Sequence, residues 1–270
     1  MRKLRIDAGL SLVEVANKLL LSPSKISRIE SAQRNISARD VRDLMDLYRI
    51  TDPGIRDELM RLVEESRESA WWAQYDLLPA YERLLGLEGA AATICDYQIA
   101  TIPGLLQTPE YAAAVSAVWT DDPDRVKAAV DVRLVRQELL VKGTALKVVV
   151  DESALRRSVG SREIMRDQIR KLIEVSGGSQ IDFRVNPFSV GAHKGAVSGF
   201  VILQFPKTVA ASSAARMADI VYLEGVVGAG VYIEQPEEVN EYLDIFLGLQ
   251  EKALDRHATI SFMEALLRDV

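Results

Sequence analysis

At 270 residues and 29.9 kDa the chain has the length of one large or two ordinary domains. Its 48% hydrophobic share excludes a disordered tail protein, and its 27% charged share, with only short apolar runs, excludes a membrane span. The net charge of -6 is unevenly divided: residues 1–50 hold ten Lys or Arg and six Asp or Glu, so 10 minus 6 gives +4, and the remainder carries -6 minus 4, or -10.

That division matters for partners. A basic head on an acidic body favours contact with a polyanion through the N-terminal face alone, because the remainder repels it. A single cysteine, Cys95, allows neither an internal disulfide nor a thiolate metal cluster, and is expected to be a buried small apolar residue. No signal peptide is read before the first helix, so a cytoplasmic protein is expected.

The first informative stretch is Ser11 to Arg34, SLVEVANKLLLSPSKISRIESAQR. Ser11 followed three residues later by Glu14 is a capping box, and Val15, Ala16 and Leu19 supply the inward face of the helix it starts. Ser22-Pro23 starts a second helix, serine as the cap and proline at the first position, where its missing N–H is not needed. Ile26 and Ile29 stand three apart and face inward, which leaves Ser24, Lys25, Ser27 and Arg28 on a short, polar, basic outer side. This pattern predicts a helix-turn-helix. Its alternative is a short amphipathic pair in some other helical domain. Small hydroxyls permit close approach to DNA, and Lys or Arg donates to guanine O6 and N7. The candidate DNA-binding residues are therefore Ser22, Ser24, Lys25, Ser27 and Arg28, with Gln33, Arg34 and Arg39 placed to hold flanking phosphates.

Ser37 starts another helix through Val41, Leu44, Met45, Leu47 and Tyr48, and Thr51-Asp52-Pro53-Gly54 breaks it. A charged helix from Ile55 to about Glu68, with Leu59, Leu62 and Val63 as a narrow stripe, reads as a connector. Trp71-Trp72 and Tyr75 open the second region, as packing aromatics or as a ligand or base-stacking platform. Leu84 to Ile102 is apolar and helix-prone at first, then breaks at Pro103-Gly104. Helices follow from Pro109 through Val118 and from Asp124 to about Val141.

The pattern then changes to strands at Ala145–Val150, Gln180–Val185, Gly199–Phe205, Ile220–Leu223 and Gly230–Ile233, interleaved with a helix over Ser161–Val175. A long helix from Pro236 and an amphipathic one over Ile260–Leu267 close the chain. The predicted architecture is α + α/β: a helix-turn-helix domain at 1–54, a linker helix at 55–70 and a mixed α/β C-terminal domain at 71–270.

Two groups of residues also carry a family resemblance. Ala16, Ser22, SPSKISRIE and ARDVRDLMDLYRI resemble the five-helix DNA-binding domain of xenobiotic-response-element type helix-turn-helix repressors. Leu20 and Ala32 stand where that family often has glycine. Glycine serves a left-handed backbone, so the turn here is expected to be strained or differently shaped. IPGLLQTPEYA, VRLVRQELL, DESALRRSVG, NPFSVGAHKG and VYLEG resemble the C-terminal domain of a family of antitoxin-like actinobacterial regulators. The resemblance implies a transcriptional regulator whose C-terminal domain binds a small partner protein. It implies no ligand and no catalytic residue.

Enzyme chemistry finds little support. His193 and His257 lie far apart, and neither G-x-S-x-G nor G-x-x-x-x-G-K-[ST] is present; Ser198 in GAVSG has the wrong spacing. His193-Lys194, in a Gly-rich loop, reads either as a phosphoryl-binding pair or as plain surface loop, and no orienting carboxylate is evident nearby in sequence. Asp151-Glu152 reads as an acid pair or as the cap of a helix at Ser153. The chain is therefore expected to be no enzyme, with no cofactor and no metal, acting on double-stranded DNA as a homodimer. Control by a small partner protein, protein interaction as the main task, and metabolite sensing are the readings that follow, in that order.

Overall fold

A computed structural model describes residues 1–30, 36–65, 71–206, 217–225 and 230–269. The chain divides into two compact units, one built on Met1–Gln74 and one on Tyr75–Pro206 with Ala218–Val270.

The first unit holds five helices: α1 (Arg2–Asp7), α2 (Leu12–Lys18), α3 (Pro23–Glu30), α4 (Ala38–Leu47) and α5 (Pro53–Glu65). Their spacing follows the caps. Ser11 accepts from the Glu14 N–H while Glu14 accepts from the Ser11 N–H, and Ser37 accepts from the Asp40 N–H. Leu4, Val15, Ala16, Ile26, Leu44 and Tyr48 form the core, and Val41, Met45 and Val63 a second cluster against it. Here the expected domain boundary moves. Residues 55–65, predicted to link, form α5, whose Ile55 and Val63 are buried and whose Leu59 packs onto both clusters. Trp71 and Trp72 lie in a 3-10 turn at the end of this unit, ring against ring at 5.4 Å and edge-on.

The second unit is a six-stranded mixed sheet in the order β3-β2-β1-β4-β5-β6. In chain order its elements are α6 (Pro79–Ala90), β1 (Thr93–Gln98), α7 (Pro109–Ser116), α8 (Pro123–Val141), β2 (Ala145–Asp151), α9 (Glu152–Arg156), α10 (Arg162–Ser176), β3 (Ile181–Asn186), β4 (Phe200–Gln204), β5 (Ile220–Leu223), β6 (Val231–Ile233), α11 (Pro236–Lys252) and α12 (Arg256–Asp269). β1 pairs parallel with β2, and β2 with β3; β4 runs antiparallel to β1, β5 to β4 and β6 to β5.

Both faces of the sheet are covered, so strand side chains sort by parity. Ile94, Leu146, Val148, Val150, Val201 and Leu203 join one core with residues of α6, α7, α10 and α12. Cys95, Tyr97, Val149, Phe200, Ile202 and Val221 join another with Val239, Phe246 and Leu249 of α11. The helix-prone start of the apolar stretch Leu84–Ile102 is the end of α6, and its second half holds the central strand β1, where the sequence predicts no strand. A strand buried on both faces has no polar alternation, so periodicity does not separate it from a helix. Cys95 is buried and unbonded to another cysteine, as expected, and burial pushes its thiol up to about 11.

The first face also contains a buried ionic group. Arg136 of α8 donates to both oxygens of Glu88 of α6, at 2.9 and 2.7 Å, and to the Tyr81 hydroxyl at 2.7 Å. Gly104 leaves the guanidinium its space: a Cβ there would come within 3.1 Å of Nη1. Asp96 of β1 accepts from Gln98 Nε2 at 2.8 Å. Burial pushes the Asp96 carboxyl from 3.8 up to about 7; the Gln98 bond and Arg136 oppose this, and Glu88 and Glu224 add to it. The folded chain thus keeps a proton, between about pH 4 and 7, that the unfolded chain releases. Stability conferred below pH 4 is lost as pH rises through that window, by up to about 1.4 kcal/mol per pH unit. Asp96→Asn should flatten this slope and leave the variant more stable than the wild type at pH 8, which urea unfolding at pH 4, 6 and 8 reads directly.

Candidate nucleic-acid interface

The turn between α2 and α3 is fixed by backbone bonds. Leu21 N–H donates to Ala16 O at 2.9 Å and Leu20 N–H to Asn17 O at 3.4 Å, the paired pattern of a Schellman ending. That pattern needs a left-handed residue, and Leu20 supplies it with φ of 54°. The expectation of strain at this position is met: the turn keeps the shape that glycine would serve and places leucine in it. The same ending recurs after α1 with Gly9 at φ 68° and after α4 with Arg49 at φ 57°. Leu20 is 92% exposed, so its side chain packs on nothing that would offset the cost.

α3 is anchored from behind. Arg5 of α1 grips Glu30 at its end through Nε and Nη2, at 2.8 and 2.9 Å, and donates through Nη1 to Leu10 O at 2.8 Å. Both side chains are nearly buried, at 10% and 6% exposure. A bidentate pair so placed sets the position of α3 against α1, and removing either partner would leave a buried charge. Sequence reading misses it, since 25 residues separate the two. Ser22 caps the front of α3, its Oγ accepting from Lys25 N–H at 3.2 Å.

The outward side agrees in part with the sequence prediction. Ile26 and Ile29 are buried; Ser22, Ser24, Ser27 and Arg28 are exposed, and Arg28 Nε donates to Ser24 O at 3.2 Å. Lys25 is placed differently. Its ammonium bonds both oxygens of Asp40 on α4, at 3.2 and 3.1 Å, with the two side chains 22% and 19% exposed. Asp40 is also held by the Ser37 Oγ cap at its N–H, and its carboxyl lies below the usual range: Lys25 and Ser37 outweigh burial, the largest single influence. Arg39 is exposed at the start of α4, 3.9 Å from Asp43. Gln33, Arg34 and Ala32 lie outside the described residues. Among the described residues no group of three or more His, Cys, Asp or Glu is placed to hold a metal, and no helix is long and apolar enough to cross a membrane.

The description Helix-turn-helix domain matches residues 1–59, the unit whose α2 and α3 carry this face. The description Domain of unknown function (DUF5753) matches residues 81–265, more than half of the chain. The chain belongs to the DUF5753 family. No curated protein matches it. Among solved structures it is similar to one described as "Structure of TrmBL2, an archaeal chromatin protein, shows a novel mode of DNA binding", at 12% identity and a TM-score of 0.31, over 87% of this chain and 72% of that one. A likeness that distant carries no argument about this family member; the helix-turn-helix match and the geometry of α2 and α3 do.

Relieving the left-handed leucine gives a direct check. Leu20→Gly removes a cost of about 1–2 kcal/mol for an L-residue in that conformation and adds about 0.5–1 kcal/mol of unfolded-state freedom. The variant should gain between about 0 and about 1.5 kcal/mol in denaturant unfolding, and a loss would contradict the turn geometry.

Proposed function

We propose that this DUF5753 chain is a sequence-specific DNA-binding transcriptional regulator, acting as a homodimer and controlled by a small partner protein at its C-terminal domain. The observation that carries the reading is the exposed face of α3, three serines and Arg28 on a helix fixed from behind by Arg5 and Glu30. In this arrangement Arg28 reads bases, Ser22, Ser24 and Ser27 fix the helix, and Arg39 holds a phosphate, with Gln33 and Arg34 keeping the phosphate role that their sequence position suggests. Lys25 reaches DNA only by leaving Asp40, so its share in base reading is smaller than the sequence implies. A head of this size binds weakly alone, and a dimer on half-sites about one DNA turn apart follows. No reaction is proposed.

Fluorescence anisotropy on duplex from the upstream region of its own gene and on a scrambled duplex, at two salt concentrations, tests this. Arg28→Ala should cost about 1–3 kcal/mol on the preferred site and relax one position, while Arg39→Ala should weaken both duplexes alike and reduce the salt slope by about 1. Equal losses from both variants on every duplex would remove direct readout. Asp40→Asn, which unpairs the Lys25 ammonium, should raise affinity for both duplexes most at low salt. A monomer by light scattering with undiminished affinity would contradict the dimer, and native co-purification without a stoichiometric small protein would contradict partner control.

A further inference from the structure

β1, β2 and β3 end side by side, and parity puts their last core-side residues on the α11 face. Tyr97 joins Val149 and Phe246 there; Asp151 is two residues on from Val149; Asn186 is out of phase with Phe183 and Val185, which face the other core. β4 begins at this same end, because it is antiparallel to β1 and opens with Phe200 opposite Tyr97. The chain must therefore travel from Asn186 to Phe200 across the ends of β2 and β1. Residues 187–199 do so as a strap of two 3-10 turns, Phe188–Val190 and Lys194–Ala196.

The strap lies close on what it crosses. His193 Nε2 is 3.6 Å from Asp151 Oδ2, so the structure supplies the carboxylate that sequence reading could not place beside this histidine. A Cβ on Gly195 would come within 2.5 Å of the Tyr97 ring, and one on Gly199 within 2.8 Å of Tyr97 O. Glu152 Oε2 accepts from Phe188 N–H at 2.8 Å, which ties the start of the strap to α9. Gly191, at φ 71° and ψ -150°, holds a backbone conformation open essentially to glycine.

Beneath the strap the polar groups do not close on one another. Tyr97 Oη, Asn186 Oδ1, Asn186 Nδ2 and His193 Nδ1 are buried without a hydrogen-bond partner, four of the six such side-chain atoms among the described residues. Tyr97 and Asn186 are fully buried and the His193 side chain is 7% exposed. An unpaired buried polar group costs about 1–3 kcal/mol, so four at one end of one sheet face are a concentration that packing alone does not produce. The place is also on the side where open α/β sheets receive ligands, outside the carboxyl ends of the parallel strands β1, β2 and β3.

We propose that the strap covers a binding site for a small, uncharged, polyhydroxylated molecule held by Tyr97, Asn186 and His193. The chemistry selects the class. A hydroxyl donates and accepts at once, which matches a phenol, both halves of an amide and an imidazole nitrogen. The Asp151 carboxylate opposes an anion. The site gives chemical content to the metabolite-sensing reading and stands independently of DNA binding, since its test contains no DNA.

The full-length chain is titrated with glycerol, D-ribose, D-glucose and myo-inositol by saturation-transfer NMR, with inorganic phosphate as the charged comparison. At least one polyol should saturate below about 10 mM, a range set by the modest net worth of neutral hydrogen bonds. Tyr97→Phe and Asn186→Leu should each weaken it at least tenfold. Each variant also loses unpaired buried atoms, so its melting temperature should hold or rise by about 2–4 °C, which separates lost binding from lost folding. Saturation by no polyol, preference for phosphate, equal binding to both variants, or lower melting of both variants would overturn the proposal.

Discussion

The reversal of strand direction at β1 is the constraint on which the larger unit depends. β1 holds a parallel neighbour on one side and an antiparallel one on the other, so helices must return the chain from β1 to β2 and from β2 to β3, while β4 needs only to turn back. Helices and the apolar residues they carry then cover both faces, and parity divides the strand side chains between two cores. The same reversal sends residues 187–199 across the strand ends. Asp96 falls on the face covered by the Glu88–Arg136 pair, and Tyr97, with Asp151 and Asn186, on the other, because neighbouring residues of one strand point to opposite faces. Polar chemistry on opposite faces of one sheet thus has one geometric origin.

In the helix-turn-helix unit the interactions that place α3 are electrostatic and join residues distant in sequence. The Arg5–Glu30 pair joins α1 to the end of α3, and the Lys25–Asp40 pair joins the front of α3 to α4. Between them α3 is held at both ends, which orders its exposed serines and Arg28. One pair is nearly buried and serves position. The other is partly buried and holds the Lys25 ammonium on Asp40, so the front of α3 is fixed at the cost of an otherwise outward-facing cation.

Much of this unit was legible in the chain. The capping box at Ser11, the Ser22-Pro23 start and the Ser37 cap act through neighbours three residues away, and the structure forms each of them. The left-handed backbone at Leu20 was legible from the residue type expected there. In the second unit most strands and helices lie where hydrophobic period and turn residues put them. β1 does not, because burial on both faces removes the alternation that marks a strand. The helix α5 was found, but its place in the helix-turn-helix core was not, since a narrow apolar stripe does not say what covers it.

The sequence by itself determined the local elements: caps, turns, amphipathic faces and the basic character of the first fifty residues, all properties of residues within one or two helical turns of each other. Tertiary structure alone decided the pairings. It set Glu30 against Arg5 and Asp40 against Lys25, and it brought His193 to Asp151 across 42 residues, Asp151 being 193 minus 42. Such contacts depend on which strands adjoin and in which direction, and that choice is made by burying whole faces together, an energy that no single stretch of the chain carries.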